Sequence, residues 1–454
     1  MIKAGRIVVI GGNAAGPAAA AKAKRANPGA ELIMFEAGNF ISTGTCEMPY
    51  VLSREISGYE KIVFYTPEKF KKEKGVDVFV NHFVESINRK EKLVEIRDLK
   101  ENLARRVQYD KLILTTGSIS KKIPYLPEGV KNVFQFKTID DLYNLSAYIQ
   151  ENKCKTCAVI GAGYVGLEII DTLQKLNLET ILIEKEKLPL PSAEVEISFL
   201  VKELLKDKGV RAFYGVSKPL VHLSDCKQNI KGIEIEGREI EVDLIITAAG
   251  FLPNSFLAQK ARLEIGKYGG IEVDSTLRTS DSNIFAAGDN IEVKNGVTNK
   301  NDYIPLATVA HEYGHTAGAN AAGENQHVES VIKNLAVKLF DKYFVTVGIT
   351  SEEAGKNGYN FNSVYQAVPN LVKVMPDSEN VFGKIVYEKE SKRILGASFL
   401  GGKEVSGYGD IISSLIKTRQ PADALAKINY NYTPPLSPLI NLLSALGRKI
   451  NLTK

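Results

Sequence analysis

Ala158-Val159-Ile160-Gly161-Ala162-Gly163-Tyr164-Val165-Gly166 decides how the rest of this chain is read. An apolar run of buried-strand type stops at a glycine turn, and a helical pattern follows directly. The glycines keep the G-x-G-x-x-G spacing. The first serves the tight turn, the second the close approach of a pyrophosphate, and the third the packing of helix on strand. The next apolar run, Thr180-Ile181-Leu182-Ile183, delivers Glu184, 18 residues after Gly166. An acid there accepts hydrogen bonds from the ribose hydroxyls of a dinucleotide. Its charge repels a 2′-phosphate and so favours NADH over NADPH, while Lys185 and Lys187 keep NADPH open.

Toward the amino terminus the same pattern recurs. Ile7-Val8-Val9-Ile10 meets Gly11-Gly12, an alanine-rich segment follows, and Leu32-Ile33-Met34-Phe35 ends in Glu36. Gly11, Asn13, Ala14, Ala15 and Gly16 make up this loop, with Asn13 in place of the middle glycine. Asparagine tolerates glycine-like conformations better than most residues, so the stretch reads as a second dinucleotide site. Lys3 and Arg6 ahead of an apolar run imitate a secretory signal, but the glycines cut that run. Two such units about 150 residues apart imply two cofactors, naturally one flavin dinucleotide and one nicotinamide dinucleotide.

Leu112-Ile113-Leu114-Thr115-Thr116-Gly117 and Leu244-Ile245-Ile246-Thr247-Ala248-Ala249-Gly250 are similar strands ending in small-residue turns. They read as the chain crossing into and out of an inserted domain. Asn283-Ile284-Phe285-Ala286-Ala287-Gly288-Asp289 is a further buried strand. Asp289 at its end would accept a hydrogen bond from a ribityl hydroxyl, unless the pair is a plain Gly-Asp turn. A helix expected from about Leu306 to Ala322 would aim its positive end at a flavin. After residue 331 the glycine motifs stop, and strands such as Lys384-Ile385-Val386-Tyr387 give way to helix at 408–418 and 438–447. The expected fold is α/β: two Rossmann-like dinucleotide-binding domains, one inserted in the other, plus a C-terminal α+β domain. Residues 1–118 and 248–328 would bind FAD, 119–247 would bind NAD(P)H, and 329–454 would form the last domain.

Bulk properties narrow the function. At roughly 100–200 residues per domain, 454 residues give two to four domains. Lys and Arg total 58 against 53 acids, a surplus of +5 without the basic block of a nucleic-acid-binding arm. No uninterrupted run of about 18 apolar residues marks a membrane span. Four cysteines, at 46, 154, 157 and 226, are too few for a disulfide scaffold and fit a reducing, cytoplasmic setting. Cys154 and Cys157 form a C-x-x-C with no second pair to complete a zinc site, and Cys226 sits in a polar connection. His311-Glu312-Tyr313-Gly314-His315 spells H-E-x-x-H on the helix expected to face the flavin, so no metal is expected.

Ser42-Thr43-Gly44-Thr45-Cys46-Glu47-Met48-Pro49-Tyr50 follows soon after the first ribose acid. With the two nucleotide motifs, it resembles the pyridine nucleotide–disulfide oxidoreductases over essentially the whole chain. Ile41 and Val51 stand where the two-cysteine branch would place a C-x-x-x-x-C partner of Cys46. The chain is therefore similar to the single-cysteine branch: coenzyme A-disulfide reductases, NADH oxidases, NADH peroxidases and persulfide or polysulfide reductases. That resemblance implies FAD, NADH or NADPH, a C-terminal dimerisation domain and a homodimer. Cys46 would stack near the flavin and exchange with a thiol such as coenzyme A, its thiolate favoured by a following helix N-terminus. A buried structural cysteine is the plain alternative.

By the same resemblance Arg25 and Lys74 would hold coenzyme A phosphates, where the plain reading is solvated helix charge. Ser42 matches a serine beside the substrate thiol. Tyr432, in Asn431-Tyr432-Thr433-Pro434-Pro435, matches a tyrosine that reaches the partner subunit's site and would protonate a departing thiolate. Tyr164 is similar to the residue that covers the flavin until nicotinamide enters, and Glu168 to an acid near the nicotinamide. The chain departs from the family at Glu47 (a small residue), Thr45 (an asparagine), Ala14 (a histidine of oxidases and peroxidases) and Met375-Pro376 (a second tyrosine). The expected function is transfer of electrons from NADH through FAD and Cys46 to a coenzyme A disulfide or a persulfide or polysulfide. An NADH oxidase reducing oxygen, and a non-catalytic flavoprotein acting as redox sensor or electron-transfer subunit, are the alternatives.

Overall fold

The computed structural model describes residues 5–452, so Lys3 of the expected N-terminal segment lies outside the described residues. Val- and Ile-rich runs without polar alternation form strands buried on both faces, as parallel sheets require. The first sheet has the order Ile284–Ala286, Lys111–Leu114, Arg6–Ile10, Glu31–Phe35, Asp77–Phe79, all parallel. A second sheet repeats the design with Val133–Phe134, Leu244–Thr247, Thr156–Ile160, Glu179–Glu184 and Arg211–Tyr214. In each, the strand entering the glycine loop is central and the strand leading to the expected ribose acid lies beside it. Ser118–Ser120 and Phe251–Pro253 pair antiparallel, where the chain leaves the first sheet and returns to it.

The C-terminal part is an antiparallel sheet in the order Asn334–Leu339, Lys342–Gly348, Ile394–Gly401, Asn380–Glu388, Phe361–Pro369. Helices Glu404–Lys417 and Leu442–Leu452 pack on it. The last helix starts later than expected. Pro434, Pro435 and Pro438 cannot donate to a helical ladder, and Asn441 then caps the helix by accepting from the Ser444 N–H at 2.9 Å.

Two contacts place the functional elements. Helix Ala15–Ala26 crosses helix Ala307–Ala321 closely through small residues: a Cβ on Gly314 or Gly318 would strike the backbone of Ala15 or Ala19. Gly314 is thus explained by packing, which accounts for the glycine inside the H-E-x-x-H spelling. Met48 and Leu52, just after Cys46, are buried in a core built from the second parallel sheet and the C-terminal sheet, with Leu182, Ile246 and Phe344. Burying two such side chains contributes about 1.5–3 kcal/mol each toward holding the Cys46 segment in place.

Candidate active site

Both glycine loops are shaped by backbone proximity. Gly11 and Gly161 have φ of 107° and 109°, a region that glycine alone holds without strain. A Cβ on Gly16 would collide with the Gly11 carbonyl, and one on Gly166 with the Gly161 carbonyl. Helices Ala15–Ala26 and Tyr164–Lys175 have neither a side-chain N-cap nor an acid in the first turn. Their free N–H groups and positive ends remain available to an anion. The two acids expected to meet a ribose, Glu36 and Glu184, are set alike. Glu36 accepts from the N–H groups of Gly12 (2.6 Å) and Gly38 (2.7 Å), and Glu184 from those of Ala162 (2.6 Å) and Glu186 (2.9 Å). Each carboxylate is locked at the rim of its loop with lone pairs to spare.

Asn13 does not take a glycine-like conformation: it is absent from the left-handed region, and Gly163 at the matching place has φ of −77°. A Cβ on Gly163 would meet nothing within 4 Å. The middle position therefore demands no special backbone. The Asn13 side chain instead accepts from the N–H and hydroxyl of Thr43, both at 3.1 Å, tying the glycine loop to the Cys46 segment.

A cleft of about 430 Å³ brings together Gly11, Asn13, Ala14, Ala15, Glu36, Thr116, Gly117, Asp289, Cys46 and Glu168. The uncapped N-terminus of helix Ala307–Ala321 adds Ala307 and Ala310 to its wall. Cys46 stands in one 3₁₀ turn, Thr45–Glu47, that leads into helix Met48–Leu52, and its sulfur is exposed to the cleft. The thiol pKa is raised, first by burial and then by the carboxylates of Glu47, Glu168 and Asp289, with the Lys137 ammonium opposing them. The expected lowering by a helix N-terminus is overturned. A five-residue helix has little dipole to offer, and burial, then the flanking carboxylates, acts against the thiolate. Burial, with Asp171 adding to it, pushes the Glu168 carboxyl up to about 7.

Asp289 accepts from the Ser118 hydroxyl at 3.0 Å, and Ser118 accepts from Lys137 Nζ at 2.8 Å. The Lys137 ammonium lies 4.3 Å from the ring centre of Phe251. Burial disfavours its charge, while Asp289, Asp141 and Cys46 favour it. None of these three partners was visible in the sequence. Ser118 follows Thr116-Gly117 without a motif of its own, and Lys137 and Phe251 belong to unmarked connections that meet only in the folded chain.

Gly161, Gly163, Gly166, Glu184 and Gly250 lie around the second loop, outside the Cys46 cleft. Gly250 has φ of 96° with open space where a Cβ would stand. Contrary to the expected lid, Tyr164 does not line the cleft. Its hydroxyl is 2.6 Å from Ser192 Oγ, its ring stacks on Phe344 at 6.2 Å, and Val165 and Glu168 of the same helix face the cleft instead. Three-residue spacing puts those two on one helix face and turns Tyr164 away.

Arg25 and Lys74 end helices Ala15–Ala26 and Pro67–Lys74, whose ends meet where Lys24 packs on Gly75. His315 is held below its ordinary pKa by burial, then by His311, Arg25 and Lys22. His311 and His315 stack at 4.7 Å, and no group of three or more metal-ligating side chains exists among the described residues. Ser42, at φ of 50°, donates its N–H to the Gly12 carbonyl at 2.8 Å. Tyr432 is exposed, as are Leu436 and Leu439, and it does not reach the cleft of its own chain. Met375 lies at the hairpin tip between Phe361–Pro369 and Asn380–Glu388, not in a strand. All four cysteines are free. Cys157 is fully buried with its thiol pushed far up by burial, Cys154 is raised to about 11 for the same reason, and Cys226 is exposed.

Residues 5–314 match the pyridine nucleotide-disulphide oxidoreductase family, and residues 335–441 match its dimerisation domain. The chain belongs to this family. Over 440 residues this oxidoreductase is 29% identical to the NADH oxidase of Methanocaldococcus jannaschii, with 97% of each chain covered. It is 29% identical over 446 residues to the NAD(P)H sulfur oxidoreductase (CoA-dependent) of Pyrococcus abyssi, again with 97% of each covered. The solved NAD-dependent persulfide reductase from A. fulgidus superposes with a TM-score of 0.93 at 30% identity, covering 98% of this chain and 82% of that one. Among the described residues, no helix is long and apolar enough to cross a membrane.

Proposed function

We propose that this oxidoreductase carries electrons from NADH by way of FAD to Cys46, and from Cys46 to a coenzyme A disulfide or a persulfide or polysulfide. The supporting observation is one cleft that joins the Gly11–Gly16 loop, Cys46, Glu168 and the Lys137–Ser118–Asp289 chain. FAD suits its walls: two uncapped helix N-termini, a glycine turn without room for a Cβ, and the Glu36 and Asp289 carboxylates. When bound, FAD supplies two-electron chemistry between a nicotinamide and a sulfur. The second loop, with Glu184 at its rim and Glu168 facing the cleft, would take NADH in preference to NADPH.

Cys46 attacks one sulfur of the substrate as its thiolate. The substrate S–S bond breaks, a mixed disulfide forms on Cys46, and the departing thiolate takes a proton. Lys137, close enough to favour the Cys46 thiolate, offsets part of the surrounding negative charge. Two electrons, originating in NADH, then cleave the mixed disulfide, so one NADH and one proton yield two thiols per disulfide. Tyr432 of the partner subunit would deliver the proton, Ser42 would stand beside the substrate thiol, and Arg25 and Lys74 would hold coenzyme A phosphates. A homodimer follows from this role of Tyr432 and from the exposed apolar run at Leu436, Leu439 and Ile440. Four unpaired cysteines fit a reducing, cytoplasmic setting. The domain division expected above, with the nucleotide unit inserted between residues 118 and 248, is retained as part of this reading.

Anaerobic stopped-flow spectroscopy tests the proposal. NADH should reduce the flavin in both wild type and Cys46→Ser, whereas coenzyme A disulfide should reoxidise only the wild type. The raised Cys46 thiol and the M. jannaschii relative favour a second reading, an NADH oxidase. Undiminished oxygen consumption in Cys46→Ser, with no disulfide turnover in wild type, would establish that reading instead. Flavin reduction without turnover on either acceptor would mark a redox sensor or electron-transfer subunit.

A further inference from the structure

Away from the active site, four cations converge on one concavity. Lys294, Arg393, Lys417 and Arg419 line a pocket of about 360 Å³, with the part-buried Ile332 among its walls. Glu329 is its one acid, paired with Lys417 at 2.9 Å. Lys294, Arg393 and Arg419 have no carboxylate partner among the described residues. A chain with a surplus of only +5 therefore concentrates much of it at a single hollow, and a concave, one-signed wall focuses potential on whatever enters.

Arg393 carries the second observation. Its Nε is buried without a hydrogen-bond partner. The guanidinium is held over the Tyr359 ring at 5.8 Å, and the Tyr359 hydroxyl donates to the Val297 carbonyl at 2.9 Å. A buried donor left unmatched is unfavourable on its own, and a guanidinium gains most from a charged acceptor. None of these residues lines the Cys46 cleft.

We propose that this pocket binds a phosphate monoester. Arg393 would present its fork to the phosphate, Lys294 and Arg419 would balance its two negative charges, and Ile332 would meet the organic part. Calorimetric titration of the FAD-loaded full-length protein with phenyl phosphate tests the assignment. Wild type should show a saturable site that persists with NADH and coenzyme A present. Arg393→Gln and Arg419→Glu should each weaken it tenfold or more, while flavin reduction by NADH stays unchanged. Inorganic phosphate should bind more weakly than phenyl phosphate. Arg419 is exposed, so its variant decides the matter even if Arg393→Gln fails to fold. No saturable binding, unaltered binding in Arg419→Glu, full competition by NADH or coenzyme A, or equal affinity for inorganic phosphate would each overturn the proposal.

Discussion

Replacing Lys384 with methionine probes how the second glycine loop is braced. Lys384 Nζ lies 2.8 Å from Glu194 and 2.8 Å from Glu196, and the Lys384 and Glu194 side chains are only 7% and 3% exposed. The other Glu194 oxygen accepts from the Ser351 N–H at 2.6 Å. Just upstream, the Leu190 N–H donates to the Ala162 carbonyl at 2.9 Å and Ser192 holds the Tyr164 hydroxyl. The C-terminal sheet thus reaches the nucleotide loop through residues 190–194. Methionine at 384 keeps the volume but strands a buried carboxylate with one donor. Removing one partner of a buried pair costs about 3–5 kcal/mol. Glu196 is partly exposed and its share is screened, so the lower end, about 3 kcal/mol, is expected. Urea unfolding of the FAD-loaded protein at neutral pH should show that loss. The KM for NADH should rise while the alkylation rate of Cys46 stays constant. The double variant Lys384→Met/Glu194→Leu should recover part of the stability, since an apolar pair of matched volume replaces a buried ion pair at little cost while the Ser351 N–H loses its acceptor. A loss in Lys384→Met below about 1 kcal/mol, or a double variant no more stable than the single one, would refute this account.

Four other outcomes are expected. Glu47→Ala should lower the Cys46 pKa, because it removes a carboxylate that raises it; the pH profile of iodoacetamide alkylation should move to lower pH, and an unmoved profile would show that Glu47 points its charge elsewhere. Glu168, raised to about 7, is protonated below neutrality. Folding therefore loses its contribution as pH rises through about 7, and Glu168→Gln should be more stable than wild type at pH above that value and flatten any bend in flavin-reduction rate there. Gly16→Ala sets a Cβ against the Gly11 carbonyl, so the purified protein should carry little flavin by absorbance, whereas matched occupancy would argue against the loop as the FAD site. Asn13→Ala removes the two Thr43 hydrogen bonds; a loss of about 0.5–1.5 kcal/mol per bond is expected in thermal unfolding.

By itself the sequence determined the two glycine-loop units, the acids Glu36 and Glu184 that follow them, and the lone cysteine, Cys46, that we propose as the redox sulfur. Those features are local: a glycine turn, a strand and an acid interact within a few tens of residues, so spacing alone specifies their geometry. Asn13 shows the limit of such reading, since its substitution for glycine was legible but its bond to Thr43 was not. The Glu47 charge beside Cys46 was legible in the sequence, but the burial of Cys46 and the charges of Glu168, Asp289 and Lys137, all far from it in the chain, were decided only by the tertiary structure. It also turned Tyr164 toward Phe344, assigned Gly314 and Gly318 to a helix crossing, and gathered Lys294, Arg393 and Arg419 at one pocket. Each of these depends on distances between distant segments, set by how the sheets pack on one another. No local pattern encodes such distances.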